Sequence, residues 1–171
     1  MKRGLDIFLA LTILFSLFSC KATLPTNKMD GYNKKITDNL TVFITISDGK
    51  ARTEWGEKLK ERLEADFSEK GIDADITIIQ SDINILNASI NNVFKTENAN
   101  GLIFMISEEN TLSSVGYETG DFALSLEDTT LGKVVWKSKM TLVFKGGLGT
   151  KNRVNSSAKA IMEALEKDNL F

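Results

Sequence analysis

The chain has 171 residues, with 21 basic and 23 acidic side chains, one cysteine, one proline and no histidine. Without histidine or a second thiol, Ser-His-Asp and Cys-His nucleophiles, Cys/His zinc sites and any intramolecular disulfide are excluded. The near-neutral charge carries no clustered basic face of the kind that nucleic-acid binding needs.

Lys2 and Arg3 precede an apolar run from Ile7 to Phe18, broken only by Thr12 and Ser16. Twelve helical residues cover about 18 Å, short of the ~30 Å hydrocarbon core. The stretch therefore reads as a secretory signal rather than a membrane span. Leu17-Phe18-Ser19-Cys20 at its end resembles the lipobox of bacterial lipoproteins, with an apolar residue at −3, a small one at −1 and cysteine at +1. The resemblance implies that residues 1–19 are removed as a signal peptide, that Cys20 takes a diacylglycerol on its thiol, and that its new amine is acylated, with palmitate as the label to follow. Several acyl chains, at about 0.8 kcal/mol per buried CH₂, hold a protein on a bilayer stably. The plainer alternative is a cleaved signal whose last residue happens to be cysteine. Lys21 stands where the inner-membrane retention signal carries aspartate, so the expected place is the outer membrane, on its periplasmic face rather than the cell surface.

Lys21 to Asn39 is polar and without sustained period, and residues 20–39 read as a lipid anchor and flexible tether. About 18 such residues have an r.m.s. reach of roughly 25 Å. The alternative is that Tyr32 to Leu40 adds a short element to the fold. A single α/β domain is expected over residues 40–171, a length typical of one domain.

Leu40 to Ser47 is β-branched and aromatic and ends at Asp48-Gly49, which predicts a strand and a turn. Trp55, Leu59, Leu63 and Phe67 recur every four residues and predict a helix from Arg52 to Lys70, capped by Thr53 and followed by Gly71. Ile72 to Gln80 alternates as a second strand. Ile83, Leu86, Ile90, Val93 and Phe94 outline a second helix ending near Asn98, and Leu102 to Ile106, apolar throughout, predicts a strand covered on both faces. Right-handed crossovers make these three strands parallel neighbours in the order 2-1-3. Glu108 to Gly120 is polar and patternless. Two alternating runs then predict an antiparallel hairpin, Phe122 to Glu127 and Lys133 to Lys145, with Val134, Trp136, Ser138, Met140, Leu142 and Phe144 facing inward. Val154, Ala158, Ile161, Met162 and Leu165 outline a closing helix. The expected fold is an α/β sandwich of two or three layers: a mixed five-stranded sheet in the order β-α-β-α-β-β-β-α, with three helices.

That order, with a turn reading Asp128-Thr129-Thr130-Leu131-Gly132-Lys133-Val134-Val135-Trp136, resembles the TolB amino-terminal-domain-like group, which includes outer-membrane lipoprotein activators of penicillin-binding proteins. The group acts by protein contact, so the resemblance implies a docking module rather than an enzyme. The motif also has a purely structural explanation: Asp128 bonds turn amides, Gly132 takes a left-handed conformation and Trp136 anchors the hairpin.

Lys133, Val135, Lys137, Lys139 and Lys145 are expected on the wet face of the hairpin, either as a solvated sheet surface or as a docking surface for another envelope protein. Asp48, Glu108 and Glu109 are expected at the carboxyl edge of the sheet, where α/β folds place ligands. They define the alternative function, an anchored small-ligand binder or carboxylate-based enzyme. Asp73 and Asp75 lie two apart on a strand, as an acid pair or as charges guarding an edge. Lys145 to Lys151, rich in glycine, is either an anion cradle or a plain connector. Asp128-Thr129-Thr130 resembles the O-glycosylation acceptor of Bacteroidetes envelope proteins, with Thr129 as the acceptor. No cofactor, metal or catalytic residue is expected. The expected partners are the membrane, through Cys20, and a second envelope protein.

Overall fold

The apolar alternations and the four-residue stripe are realised as strands and a helix with one shared interior. The computed structural model describes residues 24–80, 101–145 and 149–171. The elements are β1 (Thr26–Lys28), β2 (Asn39–Ile46), α1 (Lys50–Glu69), β3 (Asp73–Gln80), β4 (Leu102–Ser114), β5 (Tyr117–Asp128), β6 (Lys133–Lys145) and α2 (Thr150–Lys167). The leader, Cys20 and the helix expected from Asp82 to Asn98 lie outside the described residues, as does Gly146 to Leu148 of the glycine-rich loop.

The six strands form one mixed sheet in the order β1-β6-β5-β4-β2-β3. β2 lies between β3 and β4 and runs parallel to both, the 2-1-3 order expected of the first three predicted strands. β4, β5, β6 and β1 follow as an antiparallel series. Leu40, Val42, Ile44 and Ile46 of β2 point to one face. There they meet Phe104 and Ile106 of β4, Phe122, Leu124 and Leu126 of β5, and Trp136, Met140 and Phe144 of β6. Trp55, Leu59, Leu63 and Phe67 of α1, with Val154, Ala158, Ile161 and Leu165 of α2, close this core from above. On the opposite face Phe43, Thr45 and Ile103 are also buried, so the centre of the sheet is dry on both sides, as expected of Leu102 to Ile106.

The class is α/β, but among the described residues the sheet has six strands and two helices rather than five and three. The added strand is β1, inside the stretch expected to be a free tether. Thr26 to Lys28 pairs with Trp136 to Ser138, and the Ser138 hydroxyl donates to the Pro25 carbonyl at 2.8 Å. Tyr32 and Ile36 are buried in the main core, and the Ile36 amide donates to the Leu170 carbonyl. Two apolar anchors four residues apart secure this otherwise polar stretch, and backbone bonding does the rest. The domain therefore reaches back to Leu24, well before Leu40.

α1 begins at Lys50 behind Gly49, and Thr53 is not its cap: its hydroxyl donates to the Gly49 carbonyl within the first turn. β4 runs on to Ser114 and β5 starts at Tyr117, so the patternless Glu108 to Gly120 stretch is a β-hairpin. It lacks alternation because from Glu109 to Gly116 every residue is exposed.

The turn motif behaves as its structural reading requires. The Thr130 amide donates to the Asp128 carboxylate at 3.0 Å, Gly132 has φ +59°, and Trp136 is fully buried with its indole N–H donating to Asp168 at 2.6 Å. Asp128 does more than shape the turn. Its carboxylate also accepts from the Tyr32 hydroxyl at 3.1 Å and from Lys34 at 3.2 Å, clasping the early segment to the hairpin.

Candidate functional site

Helices cover one face of the antiparallel half-sheet. On the other, an open groove of about 650 Å³ runs between β1, β5 and β6, lined by Pro25, Thr26, Asn27, Ala123, Ser125, Val134, Lys137 and Lys139, with Glu109 at one end. Lys137 and Lys139 stand exposed on its floor, and Lys139 lies 3.6 Å from Glu109. Lys145 is exposed further along the same strand.

Two of the five residues expected on this face depart from it. Val135 is buried, because a β-bulge sets Trp136 opposite Leu126 but Val134 opposite Glu127. The extra residue turns inward beside Trp136, and the phase of the strand reverses before it. Val134 is exposed in its place, and Lys133 lies opposite Asp128 at the end of the hairpin, exposed but out of phase with Lys137.

Of the residues expected at the ligand edge, Asp48 and Glu109 are exposed, while Glu108 is only 3% exposed. The Glu108 carboxylate accepts from the Ser47 amide at 2.9 Å, the Ser47 hydroxyl at 2.8 Å, Arg52 Nε at 2.7 Å and the Thr111 hydroxyl at 3.0 Å. Arg52, 4% exposed, also pairs with Glu118 and stacks 4.7 Å above the Phe144 ring. Burial alone would lower the arginine pKa, but the carboxylates of Glu118 and Glu108 outweigh it and raise it above its ordinary value. The cluster therefore ties β2, α1, β4 and β5 together. Arg153 also lies over the same ring, 5.1 Å from its centre, and donates to the Val143 and Phe144 carbonyls, with its pKa lowered by burial.

Arg52 and Glu118 were not among the expected site residues. Arg52 had a signal: it stands three residues before Trp55 on the apolar stripe of α1, where a charge must find a buried partner. Glu118 had none, since it lies in the stretch without pattern.

The Thr129 hydroxyl is half-buried; it donates to the Gly101 carbonyl at 2.9 Å and accepts from the Gly101 amide at 2.7 Å, which leaves Thr130 as the exposed hydroxyl of the turn. Asp73 and Asp75 lie exposed on the edge strand β3. Among the described residues no three His, Cys, Asp or Glu side chains gather as a metal site. No helix among them is long and apolar enough to cross a membrane.

No protein-family model matches the chain, and no curated protein does. Solved structures with a similar chain path include the PelC dodecamer from Paraburkholderia phytofirmans, at 15% identity over 84% of this chain and 96% of that one, with a TM-score of 0.41. Lipoprotein GNA1162 from Neisseria meningitidis shares 15% identity over 77% and 99%, with a TM-score of 0.39. A minor lipoprotein from Acinetobacter baumannii shares 6% over 74% and 93%, with a TM-score of 0.35. Bacterial lipoproteins thus stand among the similar structures, but at scores below 0.5 these likenesses have no bearing on function.

Proposed function

We propose that the protein is a lipid-anchored component of the bacterial cell envelope, held on the outer membrane through acyl chains on Cys20. Its TolB-like α/β domain binds another envelope protein on the periplasmic side and performs no catalysis. The anchor rests on the lipobox-like Leu17-Phe18-Ser19-Cys20 at the end of the short apolar run. The observation that carries the docking role is the open groove over β5 and β6, where Lys137 and Lys139 flank small residues on a sheet face that neither described helix covers. Exposed lysines among small side chains suit an acidic protein surface, with charge aiding encounter.

The second reading, a small-ligand site using Asp48, Glu108 and Glu109, is weakened by the internal partners that already occupy Glu108. Two experiments test the proposal. Cys20→Ala should abolish palmitate labelling and release the protein from the membrane fraction; unchanged labelling would sink the anchor. A photo-crosslinker placed at Lys137 or Lys139 in intact cells should trap one discrete partner. If it traps none, while one at Glu109 or Asp48 captures a small ligand, the second reading takes over.

A further inference from the structure

β4 outlasts its parallel neighbour. Pairing with β2 ends at Ser107, yet β4 continues to Ser114, paired among the described residues with β5 alone. Among the described residues, no strand pairs with the side of β4 turned away from β5 from Glu109 onward, which leaves it as a strand edge. We propose that this projecting arm pairs edge to edge, antiparallel, with the same segment of a second copy of this chain.

The sheet guards its other borders. The terminal strand β1 is three residues long, and β3 carries Asp73 and Asp75 exposed at the opposite border. Both are devices that keep strand edges from pairing. The arm has neither. After Glu109 it reads Asn110-Thr111-Leu112-Ser113-Ser114-Val115, with no charge and no proline, and its bulge lies at the base between Glu108 and Asn110. Leu112 is 68% exposed and Val115 fully so.

The segment is complementary to itself. An antiparallel pairing centred on Leu112 sets Leu112 against its counterpart, Thr111 against Ser113, Asn110 against Ser114, and Glu109 against Val115. No like charges are opposed, and the two Glu109 carboxylates stand about 20 Å apart at opposite ends. Thr111 faces the helical side, where its hydroxyl bonds Glu108, so Leu112 faces the other side and the two leucines meet on one surface. Because the arm projects beyond the end of β2, the two bodies lie at opposite ends of the paired strands.

The test uses cysteine oxidation in the full chain within its own cells, with the wild-type chain reporting any background from Cys20. Leu112→Cys should give a species of doubled mass. Asn110→Cys alone should not, since its two copies lie about 14 Å apart, whereas Asn110→Cys co-expressed with Ser114→Cys should. Leu112→Lys introduced into both chains of that mixed pair should abolish the product. These positions are exposed and outside the core, so folding is preserved. The proposal is overturned if Leu112→Cys gives no doubled-mass species, if Asn110→Cys alone cross-links equally well, or if the product has the mass of a different protein.

Discussion

Replacing Glu108 with alanine tests whether this carboxylate holds the fold together or waits for a ligand. The substitution removes four accepted hydrogen bonds at once. It leaves Arg52 buried with Glu118 as its remaining anion, and orphans the Ser47 amide and hydroxyl. Breaking a buried ion pair from one side costs about 3–5 kcal/mol. Glu118 still offsets part of the arginine charge, while the stranded Ser47 groups add to the loss, so about 4 kcal/mol is expected. With a urea m-value of about 2 kcal/mol/M, the unfolding midpoint falls by about 2 M. Urea titration followed by tryptophan fluorescence suits the measurement, since Trp55 and Trp136 are both fully buried. The double variant Arg52→Met, Glu108→Leu should be less destabilised than the sum of its parts, because no charge is left unpaired. A carboxylate kept for a ligand predicts the opposite, little loss or even a gain in stability on Glu108→Ala. A midpoint shift below about 0.5 M (roughly 1 kcal/mol at that slope) would refute the structural role.

Gly120→Ala places a Cβ 2.8 Å from the Glu108 carboxylate and 3.0 Å from both the Phe122 and Phe144 rings. Overpacking of this kind costs about 1–3 kcal/mol and should appear as a lower thermal midpoint by calorimetry. Burial works against the Asp128 charge, but hydrogen bonds from Thr130, Lys34 and Tyr32 prevail and hold its pKa at about 2. The stability this contributes is complete above the unfolded carboxylate's pKa, near 4. It is lost as pH falls toward 2, by on the order of 2 kcal/mol. Asp128→Asn should flatten that part of the acid unfolding profile. Burial, and then the Asp128 carboxylate, raise the Tyr32 pKa. The fold therefore favours the neutral phenol, and stability should fall as pH rises past about 10, where the unfolded phenol ionises; Tyr32→Phe should remove that alkaline loss.

The parallel half of the fold was legible because its signals come from burial. Leu102 to Ile106 of β4 is apolar at every position, Leu40 to Ile46 of β2 is apolar but for two threonines, and the α1 stripe repeats every four residues against a core it must cover. The antiparallel half was legible only where one face is buried, from Phe122 onward. The arm from Glu109 to Gly116 touches no core, so nothing selects its residue types by period. β1 escaped notice for a related reason: Thr-Asn-Lys joins the sheet through its backbone, and the anchors that hold it, Tyr32 and Ile36, look isolated in sequence. Val135 misled because strict alternation assumes an unbroken ladder, and one inserted residue opposite Leu126 and Glu127 reverses the phase. Glu108 could be placed at the sheet edge, but its partner Arg52 lies 56 positions away, and pairing across such a distance leaves no local trace.

The early entry of the chain into the sheet fixes how the domain stands on a bilayer if Cys20 carries lipid. Only four residue steps separate Cys20 from Leu24, at most about 14 Å of extended chain. A domain of this size has a radius of gyration of about 15 Å, longer than its leash. It therefore cannot tumble freely above the headgroups; it rides on them with the β1 border downward, and it presents to the opposing space whatever lies furthest from Pro25.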